Sequence, residues 1–280
     1  MTKNLKIWLL VIMAGFCAVV TGQEKNEERG KWPLPASFVN PQPNRIDYKE
    51  HLAPFFDKLS AHETAVAEGD DTMPKPRVMM IGDSHVRGNI LPRQVRDSLR
   101  GEWTIDFKYL CKNGVQLQYF LKPAQMDSIV AYKPDLLIVA VGTNEAHSNF
   151  DAGKYTALMQ EFTDKVLAGT DSATTIMFTT PPGSHIRHSR AGKGKKKGNT
   201  SVVPNRTNKV VADCQNAFCK DNGFAIWNLL DIAGGESAPR NWRGANLMQR
   251  DGVHYSVEAY RLQGNMLARA LIEARNSMLR

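Results

Sequence analysis

The chain has 280 residues, 42% of them hydrophobic, with 36 Lys and Arg against 28 Asp and Glu and a formal charge of +8. That length and apolar share support one sizeable core, for which a single α/β domain is the default. Only Cys111, Cys214 and Cys219 follow the first 22 residues and no CxxC occurs; the odd number forbids full pairing, and neither a disulfide framework nor a cysteine zinc site is indicated.

Lys3 and Lys6 precede an apolar run from Ile7 to Val20, followed by Thr21-Gly22-Gln23. This is the charged, apolar and small-residue order of a secretory signal. The run spans 14 residues, short of the roughly 20 needed by a spanning helix. Cys17 follows Phe16, where a lipid-attachment signal has Gly, Ala or Ser. Residues 1–22 are therefore expected to be a signal peptide cut after Gly22, and the protein to be exported. Losing Lys3 and Lys6 lowers the charge from +8 to +6.

Residues 23–46 are polar and carry Pro33, Pro35, Pro41 and Pro43, the composition of a tether or wrapping segment. A single domain is expected over 47–280. It opens with a packing helix over 47–67, where Leu52, Phe55, Phe56 and Leu59 fall at helical spacing. Strands are then predicted over 78–81, 104–110, 136–141, 175–179 and 224–228. Helices are predicted over 92–99, 116–132, 154–167, 205–222 and 257–275. Five strands alternating with helices imply a three-layer, doubly wound sheet, mostly parallel, with helices on both faces.

Residues 186–200 hold Arg187, His188, Arg190, Lys193, Lys195, Lys196 and Lys197 among glycines. They are expected to form a basic loop on the ligand side of the sheet. The loop is not a phosphate-binding P-loop, because Asn199 follows Gly198 where that pattern needs Lys. No nucleic-acid motif or interleaved aromatics accompany the lysines. Peripheral contact with an anionic envelope surface is the alternative to a solvated flap.

Chemistry-bearing residues cluster where the predicted strands end. Val78-Met79-Met80-Ile81 runs into Gly82-Asp83-Ser84-His85; Asn113-Gly114 follows the second strand, and Gly142-Thr143-Asn144-Glu145 the third. Asp251-Gly252-Val253-His254 precedes the last helix. Open α/β sheets bind ligands at this edge. A serine hydroxyl becomes nucleophilic when a histidine takes its proton, and that histidine needs an acceptor on its other nitrogen. Asp251 and His254 are three apart, so a turn delivers both groups together. Oxyanion donors are expected from the backbone N–H groups of Ser84 and Gly114 and from the Asn144 amide. Asp83 is expected to bond backbone groups and shape the turn. His85, His147, His185 and His188 fit no metal pattern and are expected at the pocket rim or surface.

These four blocks, GDSH, NG, GTNE and DGVH in order, resemble the SGNH or GDSL-type hydrolases over roughly two hundred residues. The resemblance implies a flavodoxin-like sheet and an acyl-enzyme mechanism without metal or organic cofactor. It implies Ser84 as nucleophile, His254 as base and Asp251 as its orienter, with Gly114 and Asn144 completing the oxyanion hole. His85 and Glu145 depart from the commoner Leu and Asp and are similar to the branch that includes bacterial peptidoglycan O-acetylesterases. That branch implies an acetylated carbohydrate substrate in the periplasm, in the cell envelope or outside the cell. The alternatives are a lysophospholipase, a thioesterase or a plant-polysaccharide acetylesterase, and, from another class, an inactive envelope-binding module.

Overall fold

The structure is a computed structural model that describes residues 33–170, 173–190 and 199–279. The expected signal peptide, the first part of the expected tether and the lysine-rich tip at 191–198 lie outside the described residues. The main compact unit spans Ala36–Arg280.

A 3-10 turn at Lys49–Leu52 leads into helix α1 (Ala53–Ala67), which Pro54 opens at its second position. Strand β1 (Arg77–Gly82) passes into a one-turn helix α2 (Ser84–Arg87) and then α3 (Ile90–Arg100). Strand β2 (Asp106–Cys111), helix α4 (Pro123–Tyr132), β3 (Leu136–Ala140), one-turn α5 (Thr143–Ala146), α6 (Ala152–Gly169) and β4 (Thr175–Thr179) follow. The chain continues through β5 (His185–Arg190), β6 (Asn199–Pro204), α7 (Thr207–Asn222), β7 (Ala225–Trp227), short helices α8 (Leu229–Ile232) and α9 (Ala238–Gly244), and α10 (Val257–Met278).

Five strands form one parallel sheet in the order β2-β1-β3-β4-β7, the doubly wound order of flavodoxin-like folds. Leu136, Leu137, Ile138 and Val139 in the central strand are all fully buried. A continuous apolar run suits a strand covered on both faces, which is why these segments read as strands without alternation. Met79, Ile81, Leu137, Val139, Ile176 and Phe178 pack on one face against Ile129, Tyr155, Met159, Phe162 and Phe218 of α4, α6 and α7. The opposite face carries α3 and α10, which pack closely because Gly264 has no side chain; a Cβ there would lie 2.9 Å from the Leu91 carbonyl. Full burial of each large apolar side chain contributes about 1.5–3 kcal/mol.

Four expectations change in detail. The single helix over 116–132 is two pieces, a 3-10 turn at Leu117–Leu121 and then α4. Lys122 between them is extended at φ −64 and ψ 141, the conformation that a following proline imposes. The second strand starts at Asp106. The proline-rich segment wraps the domain from residue 36 onward: Phe38 stacks edge-on against Trp242 at 5.0 Å, and Asn44 accepts from the Trp227 indole at 2.9 Å. The segment expected as a basic loop has arms that pair as an antiparallel hairpin, β5 with β6, in the register His185↔Pro204 to Arg190↔Asn199. Its lysines and glycines favour a loop, whereas the apolar, β-branched Ile186, Val202 and Val203 in the arms favour paired strands.

Candidate active site

The turn after β1 is shaped by packing at Gly82. A Cβ there would lie 2.3 Å from the Val86 Cγ2 and 2.6 Å from the Ala140 carbonyl, so only glycine lets the chain turn this close to β3. Asp83 caps α2, its Oδ1 accepting from the His85 N–H at 2.9 Å. Ser84 thus occupies the first helical position, where a backbone N–H has no partner within the helix.

The last block meets this turn from the other end of the chain. Asp251 Oδ1 accepts from the N–H groups of Val253 and His254, both at 2.9 Å. Gly252 supplies the left-handed φ of +76 that tightens the loop. Asp251 Oδ2 lies 2.6 Å from His254 Nδ1, and His254 Nε2 lies 2.9 Å from Ser84 Oγ. The carboxylate accepts from Nδ1–H, which leaves Nε2 as the acceptor for the serine hydroxyl. Burial alone would raise the Asp251 carboxyl, but bonds from the His254 ring and from the Val253 and His254 amides hold it below the ordinary value. The loop is fastened by Gln249 N–H to the His254 carbonyl at 2.8 Å and by His185 N–H to the Gly252 carbonyl at 2.7 Å.

Behind the triad lies a buried polar layer. The His85 Nδ1 and Tyr260 hydroxyl are 2.9 Å apart, and the His85 ring sits 5.6 Å from that of His254. Burial, followed by the neighbouring His254, pushes the His85 imidazole down to about 3, so it backs the base as a neutral group. Burial raises Asp83 to about 7, with the Glu145 carboxylate adding to the effect. His85 and His185 are therefore buried, not at a rim, whereas His147 is exposed, as expected, with Nε2 2.8 Å from Ser184 Oγ; the side chain of His188 lies outside the described residues.

The third block enters through Gly142 at φ +131, where a Cβ would lie 2.9 Å from Pro181. Its Asn144 side chain reaches the site but donates to Asp83 Oδ2 at 3.1 Å and to the Val115 carbonyl at 2.9 Å. Both amide hydrogens are thereby engaged. Gly114 stands in the loop after β2 at φ +68, with open space where a Cβ would be. Glu145, which residue type alone left without a role, ties that loop down: its Oε1 accepts from the Leu117 N–H at 2.8 Å, and burial raises its carboxyl. The structure thus brings Ser84, His254 and Asp251 into one hydrogen-bonded chain and sets Asn144 beside Asp83.

The model of one protein family, the GDSL-like lipases and acylhydrolases, matches residues 78–267. A sequence search of curated proteins finds no match. Among solved structures, a peptidoglycan O-acetylesterase shares the fold with a TM-score of 0.67 at 16% identity, over 83% of this chain and 99% of that one. The psychrotrophic esterase EstA from Pseudoalteromonas sp. aligns with a TM-score of 0.50 at 17% identity, over 71% of this chain and 98% of that one.

Proposed function

This chain belongs to the GDSL-like lipase and acylhydrolase family, and on that footing we propose that it is an exported serine esterase of the bacterial envelope that removes O-acetyl groups from carbohydrate, with peptidoglycan as its substrate. Ser84 Oγ attacks the ester carbonyl while its proton passes to His254 Nε2. The tetrahedral oxyanion is met by the Ser84 and Gly114 N–H groups and by Asn144. Collapse expels the sugar oxygen, which takes the proton from His254. Water then adds to the acetyl-enzyme with the same base, releasing acetate and restoring Ser84. Asp251 keeps the imidazole in the tautomer that both steps need.

The observation that carries this reading is the continuous relay from Asp251 through His254 to Ser84, with bonds of 2.6 and 2.9 Å, at the carboxyl edge of a parallel sheet. The GDSH and GTNE blocks and the signal order at 1–22 support the envelope substrate, as does the activity named for the fold neighbour.

The test is acetate release by the purified chain from O-acetylated peptidoglycan, acetylated xylan and a lysophospholipid. Peptidoglycan is expected to be the best substrate, and Ser84→Ala to abolish both release and labelling by a fluorophosphonate. A preference for the lysophospholipid or for xylan would sink the substrate assignment. Full turnover by Ser84→Ala would sink the mechanism.

A further inference from the structure

A cleft of about 810 Å³ opens at the same edge of the sheet, walled by Ile186, Asn205, Arg206, Asn208, Lys209 and Arg240 among others. Neither Ser84 nor His254 lines it, so hydrolysis of a two-carbon acyl group does not require it. Its volume suits a ligand of several sugar units. The cleft is nonetheless coupled to the triad through the strip that joins β4 to β5. At the end of that strip His185, the first residue of β5, bonds through its N–H to the carbonyl of Gly252, the neighbour of Asp251. Ser184 accepts from the Asn205 N–H at 2.8 Å and from the Asn208 amide at 3.0 Å, and both asparagines line the cleft. Burial, followed by the charges of Arg243 and then Arg240, lowers the His185 imidazole.

The charge of the cleft is unspent at two positions. Lys209 is paired with Asp213 and faces Asp231 and Glu236. Arg206 and Arg240 are exposed and form no ion pair among the described residues. A free guanidinium is a fork that fits a carboxylate with two parallel hydrogen bonds. Binding remote parts of a substrate is how an enzyme holds a reacting group that offers little surface of its own.

We propose that this cleft is a subsite for the anionic stretch of a polymeric glycan flanking the sugar that is deacetylated, with Arg206 and Arg240 binding its carboxylates. The assignment rests on the envelope-glycan reading above and names the surface that recognises the polymer.

The experiment is co-sedimentation of the full chain with insoluble peptidoglycan sacculi stripped of O-acetyl groups, and with neutral xylan, at low and high salt. The wild-type protein is expected to bind sacculi in a salt-sensitive manner. Arg206→Ala with Arg240→Ala is expected to weaken that binding about tenfold or more without altering retention on xylan. Arg206→Lys with Arg240→Lys, which keeps the charge, is expected to restore most of the salt-sensitive part. Matching thermal transitions establish that both variants are folded. Absence of wild-type binding, equal binding by the alanine variant, or equal loss on xylan would overturn the cleft. Sacculus binding without acetate release from O-acetylated sacculi would refute the esterase assignment and leave the cleft standing. Acetate release without sacculus binding would do the reverse.

Discussion

The side-chain amide of Asn144 donates to the buried carboxylate of Asp83 at 3.1 Å, while its second hydrogen goes to the Val115 carbonyl at 2.9 Å. For Asn144 to serve the oxyanion as proposed, one of these hydrogens must be drawn away from an existing acceptor. In the proposed mechanism Asp83 holds the amide in place between turnovers, and Asn144 yields it as charge develops.

Asp83→Asn places an NH₂ group against the Asn144 amide, because the other oxygen is needed to cap α2 at the His85 N–H. Two donors then face each other and the amide turns away. Loss of one oxyanion donor costs about 10²–10³ in kcat. Asn144→Ala is expected to fall in that range on p-nitrophenyl acetate, and Asp83→Asn to approach it, with KM changing less than about threefold in both. An unchanged kcat in Asp83→Asn would show that the Asp83 contact does not position the amide.

Asp251→Asn removes the anion while nearly preserving shape. Imidazole orientation is then lost, and kcat is expected to fall by about 10² to 10⁴. Since its bonds hold the Asp251 carboxyl below the ordinary value, it stays ionised above about pH 5. The wild-type rate profile is therefore expected to show no step from Asp251 between about pH 5 and neutrality. Stopped or steady-state rates across that interval check this directly.

Stability should depend on pH through two buried groups with opposite signs. Asp83 is raised to about 7, so the folded chain keeps a proton that the unfolded chain has released above about pH 4. Its contribution is fully present below that pH and is lost as pH rises towards 7, by up to about 1.4 kcal/mol per unit. His85 is lowered to about 3, so the unfolded chain binds a proton first and stability falls as pH drops below about 6.5. Thermal melting of Asp83→Asn against wild type between about pH 4 and 7 isolates the first effect. A wild-type Tm that falls no faster than the variant's over that range would contradict it.

Gly82→Ala drives a methyl group into the Val86 side chain at 2.3 Å and the Ala140 carbonyl at 2.6 Å. Overpacking of this kind costs about 1–3 kcal/mol, and the shift falls on the turn that carries Ser84. Adding Val86→Ala relieves the first clash and leaves the second, so rescue of Tm is expected to be partial. Complete rescue would mean that the approach to β3 is looser than 2.6 Å.

The sequence alone carried the sheet and the three triad residues, because both rest on short-range physics. Runs such as Leu136–Val139 are apolar at every position, which only a strand buried on both faces tolerates. The spacing of Asp251 and His254 lets one loop present both side chains. Tertiary structure decided what depends on partners distant along the chain. It turned His85 inward onto Tyr260, 175 residues away, and set Glu145 to anchor the loop at Leu117. It spent both hydrogens of Asn144 on Asp83 and Val115. It also paired the arms of a segment whose lysines and glycines spoke for a loop. Backbone pairing and the burial of a polar atom are settled by which groups the fold brings within hydrogen-bond reach, and residue order does not encode that locally.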